Sequence, residues 1–324
     1  MRRIGIMAFI AASLAALALP APLRAQEAQG RPIRLVIPFA PGATTDLLAR
    51  LLAQKLTEAL GQNVVPENRA GAGATLGSLA VARAAPDGMT LLYSNAASHG
   101  TAPAMRPAPY DPVADFAHIG LMGTIAQYLV VNPALPTPTL VDFIAHVRAN
   151  PGRVNLGTAG VGSIGHFAGA LFMSMAGLNM VTVPYNGTAP ATADLIAGNV
   201  QAVFQNAPEA TQLVRDGRIR LLAVTGAQRV RDFPDAPTFT ESVMPGFVNY
   251  TWGGLSAPRG TPDAIVQRLN LAMNRILAEP ATAQYLRGLG VEPGAMSSAE
   301  YTAFVAAEVA KFRRIAEQAQ IREN

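Results

Sequence analysis

Short β-rich runs alternate with helical patterns along this chain, and that order commits a sequence to parallel strands with helices packed on both faces of the sheet. Strands are expected at Ile33 to Pro38, Asn63 to Pro66, Thr90 to Ser94, Tyr128 to Val131, Arg153 to Leu156, Met180 to Val183, Val200 to Phe204 and Ile219 to Thr225. Helical patterns lie between most of them. The clearest, Asp46 to Leu60, sets Leu47, Leu48, Leu51, Leu52, Leu56, Ala59 and Leu60 on one face and meets Gly61 as its stop. Thr139 with Asp142, and Ser297 with Glu300, have the spacing of a capping box.

The series occurs twice, from residue 33 to about 120 and from about 128 to 225, and 324 residues suffice for two cores of ordinary size. Each half opens alike, with a strand, a glycine-bearing loop and an amphipathic helix. In the first this is VIPFAPGATTD at residues 36–46. In the second it is NLGTAGVGSIGHF at residues 155–167, leading into a helix with Ile164, Phe167, Ala168, Leu171, Phe172 and Met175 inward. Two such halves form two lobes with a cleft between them. The last hundred residues read as mostly helical, with one further strand near Trp252 to Ala257, and return to complete the first lobe.

Ligands of open parallel sheets bind beyond the carboxyl ends of the strands, where both loops lie. A helix start there offers unpaired N–H groups and about half a positive charge, which suits an anion. From Phe39 to Asp46 and from Gly157 to His166 there is no Lys or Arg. An anion would therefore be held by backbone dipoles and by the hydroxyls of Thr44, Thr45, Thr158 and Ser163. Two helix starts facing across a cleft fit a small carboxylate better than a polyphosphate, for which a lysine is expected. A plainer reading, that Thr and Ser merely cap helices in ordinary turns, stays open for either loop alone. Equivalent placement in both halves weighs against it. Asp46 reads as a dipole partner, since its carboxylate would repel the anion. For His166, ligand contact, a core role and capping all remain open. Tyr185, Asn186, Gly187 and Thr188 follow a strand and could add polar contacts. Trp252, the only tryptophan, reads as a core residue near a lobe crossing.

Enzymatic readings fail on spacing. Val161 stands two residues before Ser163, which breaks the nucleophile elbow, and GAGATLG at Gly71 to Gly77 misses the dinucleotide fingerprint by one residue. The four histidines, His99, His118, His146 and His166, lack a ligand-like spacing, and no cysteine is present, so neither a metal nor a cofactor is expected. Residues 1–25 have the order of an export signal, with Arg2 and Arg3, an apolar run from Ile4 to Leu19, then Pro20, Pro22 and Ala25. The apolar run is short of the roughly 20 residues needed to span a bilayer. Cleavage near Ala25 would leave 22 basic against 21 acidic residues, which gives no case for binding nucleic acid. A periplasmic protein is expected.

Taken together, several segments identify a family. PIRLVIPFAPGATTDLLARLL at Pro32 to Leu52, ENRAGAG at Glu67 to Gly73, AAPDGMTLLYSN at Ala84 to Asn95, YDPVADF at Tyr110 to Phe116, VTVPYNGTAPA at Val181 to Ala191 and GGLSAPRGTP at Gly253 to Pro262 resemble, in order, the substrate-binding receptors of tripartite tricarboxylate transporters, the Bug proteins. The likeness covers nearly the whole mature chain. It implies an α/β, two-lobed periplasmic-binding-protein fold (type II-like), each lobe a mostly parallel sheet flanked by helices. Lobe 1 would comprise residues 26–124 and 229–324, and lobe 2 residues 125–228, with crossings near Gly123 to Gln127 and Thr225 to Arg229. It further implies a non-enzymatic monomer that closes on a small carboxylate, aromatic ones included, and delivers it to a membrane transporter of one large and one small subunit. A ligand sensor for a signalling partner is the alternative on the same fold, and a secreted α/β hydrolase the alternative of another class. The ligand contacts carried over are Phe39, Gly42, Ala43, Thr44 and Asp46 from the first loop and Thr158, Ala159, Gly160, Ser163 and His166 from the second. Ser94, Asn95, Tyr185 and Gly187 come from two further turns. Ala43 stands where the family usually has glycine, Asn186 where it often has lysine, and Gln205 where it usually has aspartate. With Gln205 in that place, the ligand is expected to carry no ammonium at its far end.

Overall fold

The computed structural model describes residues 30–42 and 44–322. The export signal, its cleavage at Ala25 and Ala43 lie outside the described residues. The first half runs β1 (Ile33–Ile37), α1 (Thr44–Leu60), β2 (Val64–Asn68), α2 (Thr75–Ala82), β3 (Thr90–Asn95), a π-helical turn (Ala96–Thr101), α3 (Ala102–Met105) and β4 (Phe116–Val131). The second continues with α4 (Leu140–Ala149), β5 (Asn155–Thr158), α5 (Ile164–Ala176), β6 (Val181–Pro184), α6 (Thr188–Ala197), β7 (Ala202–Asn206), α7 (Ala207–Arg215) and β8 (Arg220–Val224). The chain closes with α8 (Phe239–Ser242), β9 (Tyr250–Pro258), α9 (Asp263–Ala278), α10 (Pro280–Gly288), β10 (Glu292–Pro293) and α11 (Ser298–Ala319).

The strands form one path, β2-β1-β3-β9-β4-β7-β5-β6, with β8 and β10 also on β4. Strand β4 holds the two lobes together. Its residues up to Ala126 pair with β9 in the first sheet, and from Gln127 onward it pairs with β7 in the second. Pairing is parallel among β1, β2 and β3 and among β5, β6 and β7, and antiparallel wherever β4 and β9 enter. Each sheet is therefore mixed, because the crossing strands run back against the β-α series. At the crossing the backbone N–H of Gln127 donates to Thr225 Oγ1 at 2.8 Å, and Thr225 Oγ1 donates to the Asn249 carbonyl at 2.6 Å. One threonine thus pins three chain segments.

The sequence shows only the last four residues of β4. Register shifts between His118 and Gly120 and between Leu121 and Gly123 break the alternation of the rest. The capping boxes at Thr139 and Ser297 are both formed. Helix α1 starts at Thr44 rather than Asp46 and buries Leu48, Ala49, Leu52, Ala53 and Leu56, while Leu47, expected on that face, is exposed. Met175, expected inward on α5, is likewise exposed.

Under the second sheet, Phe239 and Phe247 stack at 4.2 Å and meet Phe172 and Phe204. Helix α11 reaches both lobes, with Tyr301 edge-on to Trp252 at 6.2 Å and Phe312 edge-on to Phe167 of α5 at 5.2 Å. Among the described residues, no helix is long and apolar enough to cross a membrane.

Candidate functional site

The turns after β1, β5, β6 and β7 bring four helix starts to one place. There the fold encloses a cavity of about 320 Å³. Thr44 and Thr45 border it from the start of α1, Ser163, Ile164 and Gly165 from α5, Thr188 from α6, and Pro208 and Glu209 from α7. The first turn of an α-helix leaves its N–H groups without intrahelical partners, and the summed dipole makes that end positive. Among the described residues, no Lys or Arg borders the cavity. Its positive potential therefore comes from backbone at four α-helix starts drawn from both halves of the chain. Glu209 is the one carboxylate on the lining among the described residues. Phe39, Leu48, Ile125, Phe204 and Trp252 supply apolar wall.

Of the residues expected from sequence, Phe39, Thr44, Thr45, Asn95, Ala159, Ser163, Thr188 and Gln205 border the cavity. The other expected residues that the structure describes do not border it. Gly42 takes φ +91°, a left-handed conformation that favours glycine, and its N–H donates to Asp46 Oδ2 at 3.0 Å. Asp46 also accepts from Arg50 Nε at 3.0 Å and Asn68 Nδ2 at 2.7 Å. The Arg50 guanidinium leads in holding its carboxyl down at about 2. Asp46 thus ties the first loop to its helix and to β2, in keeping with a dipole partner. Ser94 is buried against Ser256 at 2.8 Å and Tyr301 at 3.1 Å. Thr158 is buried, and its carbonyl accepts from the Tyr185 N–H at 3.0 Å. Gly187, at φ +107°, donates its N–H to the Ala159 carbonyl at 3.2 Å, and Gly160 turns at φ +124°.

His166 braces the second loop. Its Nδ1 accepts from the Gly162 N–H at 3.2 Å, while its own N–H donates to Ser163 Oγ at 3.2 Å. An acceptor at Nδ1 keeps the ring neutral, in line with burial that pulls its pKa down. The Tyr185 hydroxyl is spent on Asp194 at 2.7 Å, and that bond pushes it up to about 12.

Sequence reasoning missed Gln127, Thr251 and Asn206. These sit where β4, β9 and β7 cross, joined by Thr251 Oγ1 donating to Asn206 Oδ1 at 3.1 Å and Asn249 Nδ2 donating to Gln127 Oε1 at 3.0 Å. No local pattern marks them. Glu209 had a usable signal, since it follows a parallel strand in the same way as the two loops that were recognised. Trp252 is buried, yet it borders the cavity, and its Nε1 donates to Glu308 Oε2 at 3.0 Å.

Gly165 allows a close backbone approach in the wall. A Cβ there would lie 2.6 Å from the Phe204 carbonyl oxygen, nearer than real contacts come. Gly165→Ala is expected to push the start of α5 off β7 and lower stability by about 1–3 kcal/mol. Gly288→Ala, where the added carbon meets nothing within 4 Å, should change it by no more than about 0.5 kcal/mol. Urea unfolding of the two variants side by side checks the difference.

The receptor model of the tripartite tricarboxylate transporter family matches residues 48–321. Protein BugT of Bordetella pertussis is 34% identical over 309 residues, covering 95% of this chain and 95% of that protein. Among solved structures, R. palustris Rpa4515 with adipate is 36% identical with a TM-score of 0.75, covering 90% of this chain and 98% of its own. MatC (Rpa3494) from Rhodopseudomonas palustris with bound malate is 32% identical with a TM-score of 0.71, covering 88% and 98%.

Proposed function

Because the chain belongs to the tripartite tricarboxylate transporter receptor family, whose members bind solutes and are not enzymes, we propose that it is a periplasmic receptor for a small carboxylate. It takes the carboxylate between its lobes and hands it to a membrane transporter of the tripartite tricarboxylate type. One observation carries the anionic ligand: a cavity bordered by four α-helix starts and, among the described residues, by no Lys or Arg. Two relatives solved with adipate and malate support the same ligand class. Phe39, Thr44, Asn95, Ala159, Ser163 and Gln205 are the contacts we assign to the ligand. Gly42, Asp46, Gly160, His166 and Gly187 act through the shape of the loops.

Backbone donors recognise a carboxylate head group at little cost, since they are already oriented before the ligand arrives. The remaining wall selects the body attached to it. Closure would turn on the segments that cross between lobes, β4 at Ala126 to Gln127 and the chain at Thr225, as in other hinge-bending receptors.

The deciding experiment is a thermal-shift screen of the refolded, ligand-stripped mature chain against aliphatic and aromatic carboxylates. A ligand at 100 times its Kd stabilises the fold by about 2.7 kcal/mol, a readily measured rise in Tm. If no carboxylate raises Tm while neutral analogues do, the anion reading fails. Binding is also expected to change Trp252 emission, because its ring borders the cavity and its Nε1 is held by the Glu308 carboxylate. Fluorescence titration with any carboxylate that scores in the screen checks this, and an unchanged spectrum at saturation would place the ligand away from that ring.

A further inference from the structure

Where β7 runs into α7, one side chain on the cavity wall has hydrogen bonds that do not close. Gln205 borders the cavity and is 3% exposed. Its Nε2 donates to Thr192 Oγ1 at 3.1 Å. Thr192 Oγ1 in turn donates its single hydrogen to the Thr188 carbonyl at 2.9 Å, one turn back along α6. With that hydrogen spent, Thr192 can only accept, so the amide nitrogen of Gln205 belongs on Thr192 and the oxygen on the other side. That oxygen, Oε1, is buried and has no partner among the described residues. A buried acceptor left unmet costs about 1–3 kcal/mol, and such a group calls for an explanation in what binds nearby.

The surroundings narrow the explanation. Phe204, adjacent in sequence, and Trp252 add apolar surface to the same cavity, while anion-binding capacity lies at the helix starts. A ligand that fits all of this has a carboxylate, an apolar body and, apart from the carboxylate, a hydrogen-bond donor. Resting on the carboxylate-receptor reading above, we propose that the captured solute is a hydroxy acid, its carboxylate on the helix-start amides and its hydroxyl donating to Gln205 Oε1. A plain hydrocarbon tail leaves that oxygen unmet. A second carboxylate sets acceptor against acceptor. An ammonium donates, but it gives up its hydration to a neutral amide, which is the costlier exchange. Glu209 is exposed to solvent, where its charge is screened.

The test is calorimetry on the ligand-stripped mature chain with matched pairs: butyrate and 4-hydroxybutyrate, hexanoate and 6-hydroxyhexanoate, benzoate and 4-hydroxybenzoate, with adipate and 6-aminohexanoate added. In at least one pair the hydroxy acid is expected to bind tenfold or more tightly than its plain partner, and Gln205→Met should reduce that ratio below threefold. Equal affinities within every pair overturn the proposal. So does a preference that survives in Gln205→Met, or tighter binding of adipate or 6-aminohexanoate than of 6-hydroxyhexanoate. If Gln205→Met does not fold by far-UV circular dichroism, the ratios in the unaltered protein decide alone. Binding of plain acids without preference removes only the hydroxy acid, whereas no binding by any carboxylate removes the receptor reading as well.

Discussion

Between pH 7.5 and pH 4.5 the folded state is expected to lose about 3 kcal/mol of stability through His118 alone, with His99 adding to the loss. The two rings lie 5.7 Å apart in the first lobe, close to Phe116, Tyr110 and Tyr301. His118 Nδ1 meets Ser256 Oγ at 3.0 Å and His99 Nδ1 meets Ser98 Oγ at 2.9 Å, but neither Nε2 has a partner among the described residues. Burial pulls His118 down to about 4 and His99 well below its ordinary value, with the His118 ring adding to the effect on His99. Both stay neutral in the fold, while the unfolded chain takes up protons below about pH 6.5. Stability is therefore complete above that value and falls as pH drops, for His118 until about pH 4. Asp46, held at about 2, keeps its contribution above pH 4 and gives it up only in stronger acid, so it does not share this window. Urea midpoints at the two pH values measure the loss, and His118→Gln should make it smaller. A midpoint that does not move would mean that the rings gain protons without leaving the fold.

Lys311→Met should destabilise the chain by about 3–5 kcal/mol, the cost of leaving a buried carboxylate without its cation. On α11, Glu308 accepts from Trp252 Nε1 at 3.0 Å with one oxygen and pairs with Lys311 through the other, and side-chain exposure at the ion pair is only 10% and 15%. Exposed pairs such as Arg229 with Glu241 have 45% and 47% exposure, and breaking one should matter far less because water screens the charges. The double variant Lys311→Met with Glu308→Leu should recover much of the loss, because an apolar pair of similar volume packs without the penalty of dehydrating two charges. A double-mutant cycle by urea unfolding measures the coupling. Additive losses would show that the two side chains act separately. Since Glu308 holds Trp252 at the cavity, Glu308→Leu should also blunt the fluorescence response to ligand.

Much of the architecture is legible in the chain because it is written locally. Helical periodicity marks Leu48, Leu52 and Leu56 on the buried face of α1, and two capping boxes mark helix starts. The recurrence of strand, glycine loop and helix announces two halves and places Phe39, Thr44 and Ser163 at strand ends, where such folds bind. Local patterns fail where a residue's role depends on distant chain. Leu47 fits the apolar stripe of α1 yet faces solvent. The first three quarters of β4 escaped notice because bulges at Gly120 and Gly123 interrupt its alternation. Gln127, Thr251 and Trp252 reach the cavity from strands that pass between the lobes, and nothing in their neighbours in sequence says that those strands cross there. Asp46 and His166 are the converse: both sit in loops that look like binding loops, but bonds to Gly42, Arg50 and Asn68 in one case and to Gly162 in the other turn them into braces. A side chain's type and spacing limit the bonds it can make, and long-range pairing selects which of those bonds are left for a ligand.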